Sequence, residues 1–418
     1  MEASVLIPTW NEAENLKLLL PELKEVLNSL FKSYEIIIMD GGSEDDSAEI
    51  VKANGGIFIK QELPGFGEAL KIGFSKANGD YIVTMDADFS HGPEFIKRIW
   101  DSRNQAGAIV ASRYVNGSHA QMPLYRYWLS RILNSVFTIC LSLPLRDISS
   151  NFRLYRRDII QSINIVSSGY EALEEILIKI LAQGWTIYEV PFVYRPRSRG
   201  KSHVQLLKFA LTYLKTFLSM WYLRNSIDFS DYDLRAFYSR IFLQRWWQRK
   251  RYKIIMGYLK SNNSILDIGC GSSKIIIDLP LAVGLDIDIG KLRYLKKTNS
   301  RLINADAGSL PFKDNSFSTV ICSEVIEHIE AENIFSEINR VLKKDGLLIV
   351  GTPDYGLAFW PFIEKLYSIF HKGGYAGKHT NPYTSRRLFD ILNVYNFEIL
   401  AHSYILKSEL IIKARKKG

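Results

Sequence analysis

Tyr81-Ile82-Val83-Thr84-Met85-Asp86-Ala87-Asp88 decides the reading of this chain, because an apolar run ends in two aspartates separated by one residue. In an extended strand the side chains at i and i+2 point to the same face, so Asp86 and Asp88 would converge on one hard cation, which takes oxygen ligands. A cation so placed can bridge a diphosphate leaving group. The alternative is a pair of solvated acids in a turn, the ordinary reading of a bare Asp-x-Asp. The surrounding sequence chooses between them.

From residue 3 to about 115, strand-like and helix-like segments alternate. Residues 4–9, 35–40, 57–60, 81–85 and 108–112 read as strands; 12–30, 45–53, 65–77 and 93–103 read as helices. Such alternation builds a mostly parallel sheet covered by helices, with ligands at the carboxyl ends of the strands. Pro8-Thr9-Trp10-Asn11-Glu12, Asp40-Gly41-Gly42-Ser43 and Asp86-Ala87-Asp88 all fall there. A second alternating region begins near Ser264, so the expected fold class is α/β twice over, with domains at 1–225 and 262–418 and a basic, aromatic helical linker at 226–261. The helix expected at 204–223 places Gln205, Lys208, Thr212, Lys215, Thr216 and Ser219 on one narrow polar stripe. Its wide apolar face needs a cover, either the domains or a bilayer.

Length and composition bound the answer. The chain has 418 residues and a formal net charge of +9. Nine Lys/Arg stand against three Asp between Arg224 and Lys260, among Phe237, Tyr238, Phe242, Trp246, Trp247 and Tyr252. Basic residues among aromatics suit an anionic surface, and a lipid headgroup layer is favoured over nucleic acid, for which no recognition module is present. Cys140, Cys270 and Cys322 give neither a disulfide framework nor a zinc pattern. No apolar run reaches the length of a spanning helix and no signal-peptide pattern opens the sequence. The expectation is a cytoplasmic protein, peripheral on the cytoplasmic face of a membrane.

Six segments in order carry a family resemblance: Val5 to Asn15, Met39 to Ser43, Met85 to His91, Ser112 to Val115, Asp147 to Arg156 and Arg197 to Ser202. With these, residues 3 to about 205 resemble the polyprenol-phosphate mannose synthases, inverting glycosyltransferases of the GT-A fold. The resemblance implies that Pro8, Trp10, Glu12, Asp40 and Asp86 face a nucleotide sugar, GDP-mannose in the closest reading, and that Asp86, Asp88 and Ser90 hold Mg²⁺ or Mn²⁺. It also implies that Arg113, Arg126, Ser130, Arg197 and Ser202 collect the phosphate of a polyprenyl phosphate acceptor, with Asp147 a base or the orienter of an arginine. A lipid phosphate is already anionic, so positioning by arginines and support for the leaving diphosphate matter more than a strong base. The sequence departs from the family at Trp10, Gly41 and His203, which leaves the sugar and base preference open.

The second region begins with Ile265-Leu266-Asp267-Ile268-Gly269-Cys270-Gly271-Ser272-Ser273, a strand running into a glycine turn. Gly284-Leu285-Asp286 follows at the end of the next strand, then Asn304-Ala305-Asp306-Ala307, then a strand at 317–322. These resemble class I S-adenosylmethionine-dependent methyltransferases over about 262–415. A dinucleotide-binding turn is disfavoured because Lys274 stands where its third glycine would be. The resemblance implies that Asp267, Gly269 and Gly271 line the methionine end of the cofactor, Asp286 the ribose and Asp306 the adenine. His328 is a candidate general base for a hydroxyl acceptor; alternatively Glu327 and His328 cap a helix. The expectation is a bifunctional enzyme making a polyprenyl-phosphate sugar and methylating a glycan or lipid-linked acceptor. The alternatives are a non-lipid acceptor, and a second domain that binds the methyl donor only to regulate the first.

Overall fold

Apolar runs bounded by turn residues become buried parallel strands in the first half of the chain. The computed structural model describes residues 1–196, 206–259, 264–299, 301–329, 332–356 and 381–418. It divides into two compact units, residues 1–181 with 185–221, and residues 182–184 with 222–418. In the first unit, β1 (Ala3–Thr9), β2 (Tyr34–Asp40), β3 (Ile57–Lys60), β4 (Tyr81–Thr84) and β5 (Ala108–Ser112) fall where the sequence pattern places them, while β6 (His119–Ala120), β7 (Arg153–Arg156), β8 (Ile187–Pro191) and β9 (Val193–Tyr194) add to it. The main sheet runs β3-β2-β1-β4-β7-β5-β8. It is parallel except for β7, which is antiparallel to both β4 and β5.

Helix α1 (Ala13–Leu30) buries Leu16, Leu19, Leu20, Leu23 and Leu27 against Val5, Ile7, Ile36 and Ile38, the i, i+3, i+4 spacing of a one-sided helix. Helices α2 (Ser47–Ala53), α3 (Phe66–Lys76) and α4 (Ile96–Asp101) follow. The helix expected from residue 93 starts as a 3-10 turn at Pro93–Phe95.

Helix α5 (Leu124–Cys140) presents Tyr125, Trp128, Leu129, Ile132, Val136 and Ile139 to solvent as one apolar stripe. Helices α6 (Arg157–Gln161) and α7 (Ala172–Ala182) precede α8 (Leu206–Arg224). Phe137 of α5 meets Tyr213 and Phe217 of α8 at ring distances of 4.8 and 5.0 Å. On α8 the expected polar stripe is split, with Lys215 and Ser219 exposed and Thr216 turned inward. Thr216 is buried with Tyr213 and Met220, and Leu211, Leu214 and Leu218 are exposed beside Lys215. The register is set by the aromatic contact with α5 rather than by the polar positions.

The second unit opens with α9 (Tyr232–Phe237) and α10 (Phe242–Tyr258), the segment expected as a linker. Then come β10 (Ile265–Ile268), α11 (Lys274–Asp278), β11 (Val283–Asp286), α12 (Ile289–Leu295), β12 (Leu302–Asn304), β13 (Phe317–Ser323), α13 (Glu332–Val341), β14 (Leu342–Pro353), α14 (Ser385–Val394), β15 (Phe397–Ile405) and β16 (Glu409–Lys416). The sheet order is β12-β11-β10-β13-β14-β16-β15, with β16 antiparallel to β14 and to β15. A dinucleotide fold continues with parallel strands past the fifth position, so the inserted antiparallel strand sets this unit apart from it. Apolar clusters cover both faces, one around Leu266, Val320 and Phe335, the other around Ile255, Ile276 and Ile411.

Candidate active sites

In the first unit the carboxyl ends of β1, β2 and β4 carry three turns. Gly41 N–H donates to the Thr9 carbonyl at 2.8 Å, Asn11 N–H to Ser43 Oγ at 2.7 Å, and Ala13 N–H to Asp45 Oδ2 at 2.9 Å, which ties the first two turns together. Trp10 is exposed beside them, and Glu12 Oε2 accepts from Asn15 Nδ2 at 2.5 Å. Asp40 is tied into its own turn. It is buried, its Oδ1 accepts the N–H groups of Gly42 and Ser43 at 2.9 and 2.7 Å, and its Oδ2 accepts from the Ser43 and Thr9 hydroxyls. Its carboxylate closes an Asx turn and holds the loop's shape.

Asp86 and Asp88 lie past the end of β4, which stops at Thr84, so strand alternation does not aim them as expected. They are placed by hydrogen bonds, Asp86 from a side chain of another segment and Asp88 from its own loop. Asn151 Nδ2 donates to Asp86 Oδ1 at 2.8 Å, and Asp88 Oδ1 accepts from Ser90 N–H at 3.0 Å. His91 Nδ1 accepts the Asp86 N–H at 3.0 Å from a buried ring stacked on Phe152 at 5.1 Å. Burial lowers the His91 pKa against the pull of Asp86 and Asp88, so the ring is neutral, with its proton on Nε2. Asn151 and His91 are site residues that the sequence reading did not assign. Asn151 was visible only as part of the Asp147–Arg156 segment.

The donor set fits a hard divalent cation. Asp86, 36% exposed at its side chain, and the more buried Asp88 offer oxygens only. Among the described residues no group of three or more His, Cys, Asp or Glu is placed to hold a metal. Mg²⁺ and Mn²⁺ suit this shortage, because they are commonly held by one or two carboxylates with the remaining positions taken by substrate phosphates and water.

Arg113 is anchored within the first unit. Its Nε and Nη2 donate to the two oxygens of Asp147, each at 2.8 Å, and Nη2 also reaches Ser149 Oγ at 2.7 Å. Asp147 is fully buried, and the Arg113 guanidinium holds its carboxyl below the usual range despite burial. Of the two roles expected for Asp147, the geometry is that of an orienter. Glu189 Oε1 and Oε2 accept the N–H groups of Asp147 and Arg146, both at 2.9 Å, and fix this loop from β8. Ser130 on α5 accepts from the Tyr114 hydroxyl at 2.8 Å. Arg197 and Ser202 lie outside the described residues, and of Arg126 only its place on α5 is described.

The second unit holds a cavity of about 590 Å³ at the carboxyl ends of its parallel strands. Asp267, Gly269, Gly271, Asp286, Asp306 and His328 all line it. Gly269 and Gly271 have φ of +64° and +51°; a Cβ on the first would collide with Val325 and on the second with Asp233, so the turn is open to a ligand only with glycine. Asp286 accepts from Gly271 N–H and Asp288 N–H at 2.7 and 2.8 Å. Asp306 is exposed, its Oδ1 accepting from Gly308 N–H at 2.8 Å. Ser273, at φ −73°, caps α11 by accepting from Ile276 N–H, so this position needs no glycine.

Asp267 is the telling residue. It is buried, its Oδ2 has no partner, and burial followed by repulsion from Asp286 pushes its pKa up to about 8. A carboxylate left short of a partner beside a glycine cradle fits the cationic amine end of S-adenosylmethionine, and the cavity has the size of a cofactor site.

Glu327 is fully buried, accepts from Thr352 Oγ1 at 3.0 Å and is not among the residues that line the cavity. Sequence reasoning missed the wall supplied by α9 and α10. Asp233 accepts from Ser272 N–H at 2.9 Å and pairs with Lys291 at 3.1 Å; Arg251 pairs with Glu409 and Glu324 at 2.5 and 3.1 Å.

Residues 4–163 match the family model for glycosyl transferase family 2, and residues 266–350 match that for a methyltransferase domain. A dolichol-phosphate mannosyltransferase of Pyrococcus furiosus is 32% identical over 49% of this chain and 60% of its own length. An undecaprenyl-phosphate 4-deoxy-4-formamido-L-arabinose transferase of Photorhabdus laumondii is 34% identical over 38% of this chain and 51% of its own. The chain thus spans little more than half the length of these curated relatives. Among solved structures, glucosyl-3-phosphoglycerate synthase of Mycobacterium tuberculosis is similar at 20% identity and a TM-score of 0.45, over 53% of this chain and 78% of that one.

Proposed function

We propose, from the premise that this chain joins a family 2 glycosyltransferase domain to a methyltransferase domain, that it transfers a hexose from a nucleotide sugar to a polyprenyl phosphate and a methyl group to a glycan or lipid-linked acceptor. The observation that carries the first half is the acid loop. Asp86 and Asp88 follow the carboxyl end of β4, Asp86 pinned by Asn151 and by neutral His91 and Asp88 by the Ser90 N–H. Mg²⁺ or Mn²⁺, when held by Asp86 and Asp88, neutralises charge on the departing diphosphate. The chain's own part is to fix those carboxylates and to hold the Arg113 guanidinium rigid on Asp147, a preorganised positive group for a phosphate nucleophile that needs no strong base. Among the described residues no helix is long and apolar enough to cross a membrane. The exposed apolar stripes of α5 and α8 support seating on a bilayer surface, with the acceptor's phosphate brought to the protein there. GDP-mannose is the proposed donor, by likeness to the mannosyltransferase, and the cytoplasmic membrane face the proposed location.

For the second half the supporting observation is unpartnered Asp267 in the cavity wall. S-adenosylmethionine supplies the methyl group; Asp267, Gly269 and Gly271 hold its amino-acid end, Asp286 its ribose and Asp306 its adenine. His328, in the same wall, is the proposed acceptor of the hydroxyl proton.

The deciding experiment incubates the protein with labelled nucleotide sugars, polyprenyl phosphate and Mg²⁺. Label should become extractable into organic solvent and labile to mild acid. Asp88→Ala should lower that transfer at least about a hundredfold, the usual scale for losing an electrostatic stabiliser of the transition state; normal transfer by this variant would remove the metal assignment.

A further inference from the structure

We propose that the corner between α9 and α10 is a separate docking edge of the second unit, made for an anionic lipid surface. It does not depend on the seating proposed for α5 and α8, because none of its residues belongs to them. From Leu234 to Leu266 there is no acidic residue, and eight Lys/Arg fall in that stretch. At the start of α10, Ile241, Phe242 and Leu243 are 51%, 70% and 54% exposed, with Tyr238 exposed just ahead of them. Three consecutive large apolar side chains at a helix's first turn are costly in water.

The helix has two flanks. Trp247, Arg251 and Ile255 turn inward, Trp247 Nε1 and the Arg251 guanidinium both donating to buried Glu409. Phe242, Arg249 and Lys253, spaced seven and four residues apart, share the outward flank with Lys250. Arg240, Arg249, Lys250 and Lys253 make no ion pair among the described residues, whereas Arg251 and Arg235 do. Uncompensated cations around an apolar wedge match a bilayer in which anionic headgroups lie above acyl chains. Nucleic acid fits less well. Bases stack on flat rings, which Phe242 and Tyr238 offer, but the exposed Ile241 and Leu243 that flank Phe242 suit acyl chains instead.

The test uses the full chain with vesicles of phosphatidylcholine, alone and with phosphatidylglycerol. Wild type should float with the phosphatidylglycerol vesicles, and Arg249→Glu with Lys253→Glu, or Phe242→Ser with Leu243→Ser, should each lower its partition about tenfold. Deuterium uptake in peptides covering 238–246 should fall when wild type binds vesicles, a readout that needs no variant to fold. Trp128→Ser with Ile132→Ser on α5 should weaken binding yet keep both that protection and the dependence on anionic lipid. The proposal is overturned if both α10 variants float like wild type, if uptake at 238–246 is unchanged by vesicles, or if a single-stranded oligonucleotide protects those peptides and vesicles do not.

Discussion

Asp267 links burial to a measurable pH effect. With its pKa pushed up to about 8, the carboxyl is mostly protonated at pH 6.5 and must ionise to pair with a cationic amine. Affinity for S-adenosylmethionine should therefore rise from pH 6.5 to pH 8, by roughly tenfold for a shift of that size. Isothermal calorimetry on wild type and Asp267→Asn checks it: the variant should bind weakly with a flat profile, and a flat wild-type profile would remove Asp267 from the amine site. At this scale the sequence was legible where a residue's place follows from its strand end, as at Asp267, Gly269 and Gly271, which all line the cavity. It did not reveal the turn at Asp40, because nothing in Asp40-Gly41-Gly42-Ser43 shows that the carboxylate accepts from the N–H groups that follow it.

Elements hide more than residues do. The alternating strands up to residue 112 were legible because each is a short apolar run bounded by turn residues, and four of the five, β3 being the exception, are buried on both faces. Strand β7 was not, since Arg153-Leu154-Tyr155-Arg156 reads as cationic surface. Arg153 is in fact fully buried, its guanidinium donating to the carbonyls of Ser150, Ile148 and Leu173 at 2.5, 2.6 and 2.8 Å. Hydrogen bonds to main-chain oxygens from distant residues are invisible to a pattern search.

Nearby, Glu174 of α7 takes a hydrogen bond from Tyr213 of α8 at 3.3 Å, and burial pushes its pKa from 4.5 to about 8. Between those values the folded protein keeps a proton that the unfolded chain has released, so Glu174 lowers stability progressively as pH rises from 4.5 toward 8. Glu174→Gln should abolish that slope and stabilise the first unit near pH 7.5 by roughly a few kcal/mol, because each pH step above the unfolded value costs the folded state about 1.4 kcal/mol. Thermal unfolding of both proteins at pH 5 and 7.5 measures it; equal pH slopes would mean that Glu174 ionises normally.

For the whole molecule, the sequence located both sheets but set the second boundary too late. Residues 226–261 look like a linker because they are basic, aromatic and lie ahead of the first apolar strand. Structurally they supply Ile227, Asp233, Phe237 and Arg251 to the cavity wall. A fragment of residues 222–418 should bind S-adenosylmethionine like the full chain, whereas residues 262–418, lacking Asp233 and its hold on Ser272, should bind at least about tenfold more weakly, the scale of a lost charge-assisted hydrogen bond. Equal affinities would demote α9 and α10 to a tether.

Helix α10 therefore works as a partition. Arg251 on one flank looks into the chamber, and Phe242 and Lys253 on the other look outward. A helix with its side chains is about 10 Å thick. A hydrophobic acceptor waiting outside that partition would be separated from the chamber by a single helical diameter, so methylation would require only that its polar head swing around the rim while its tail stays where it was.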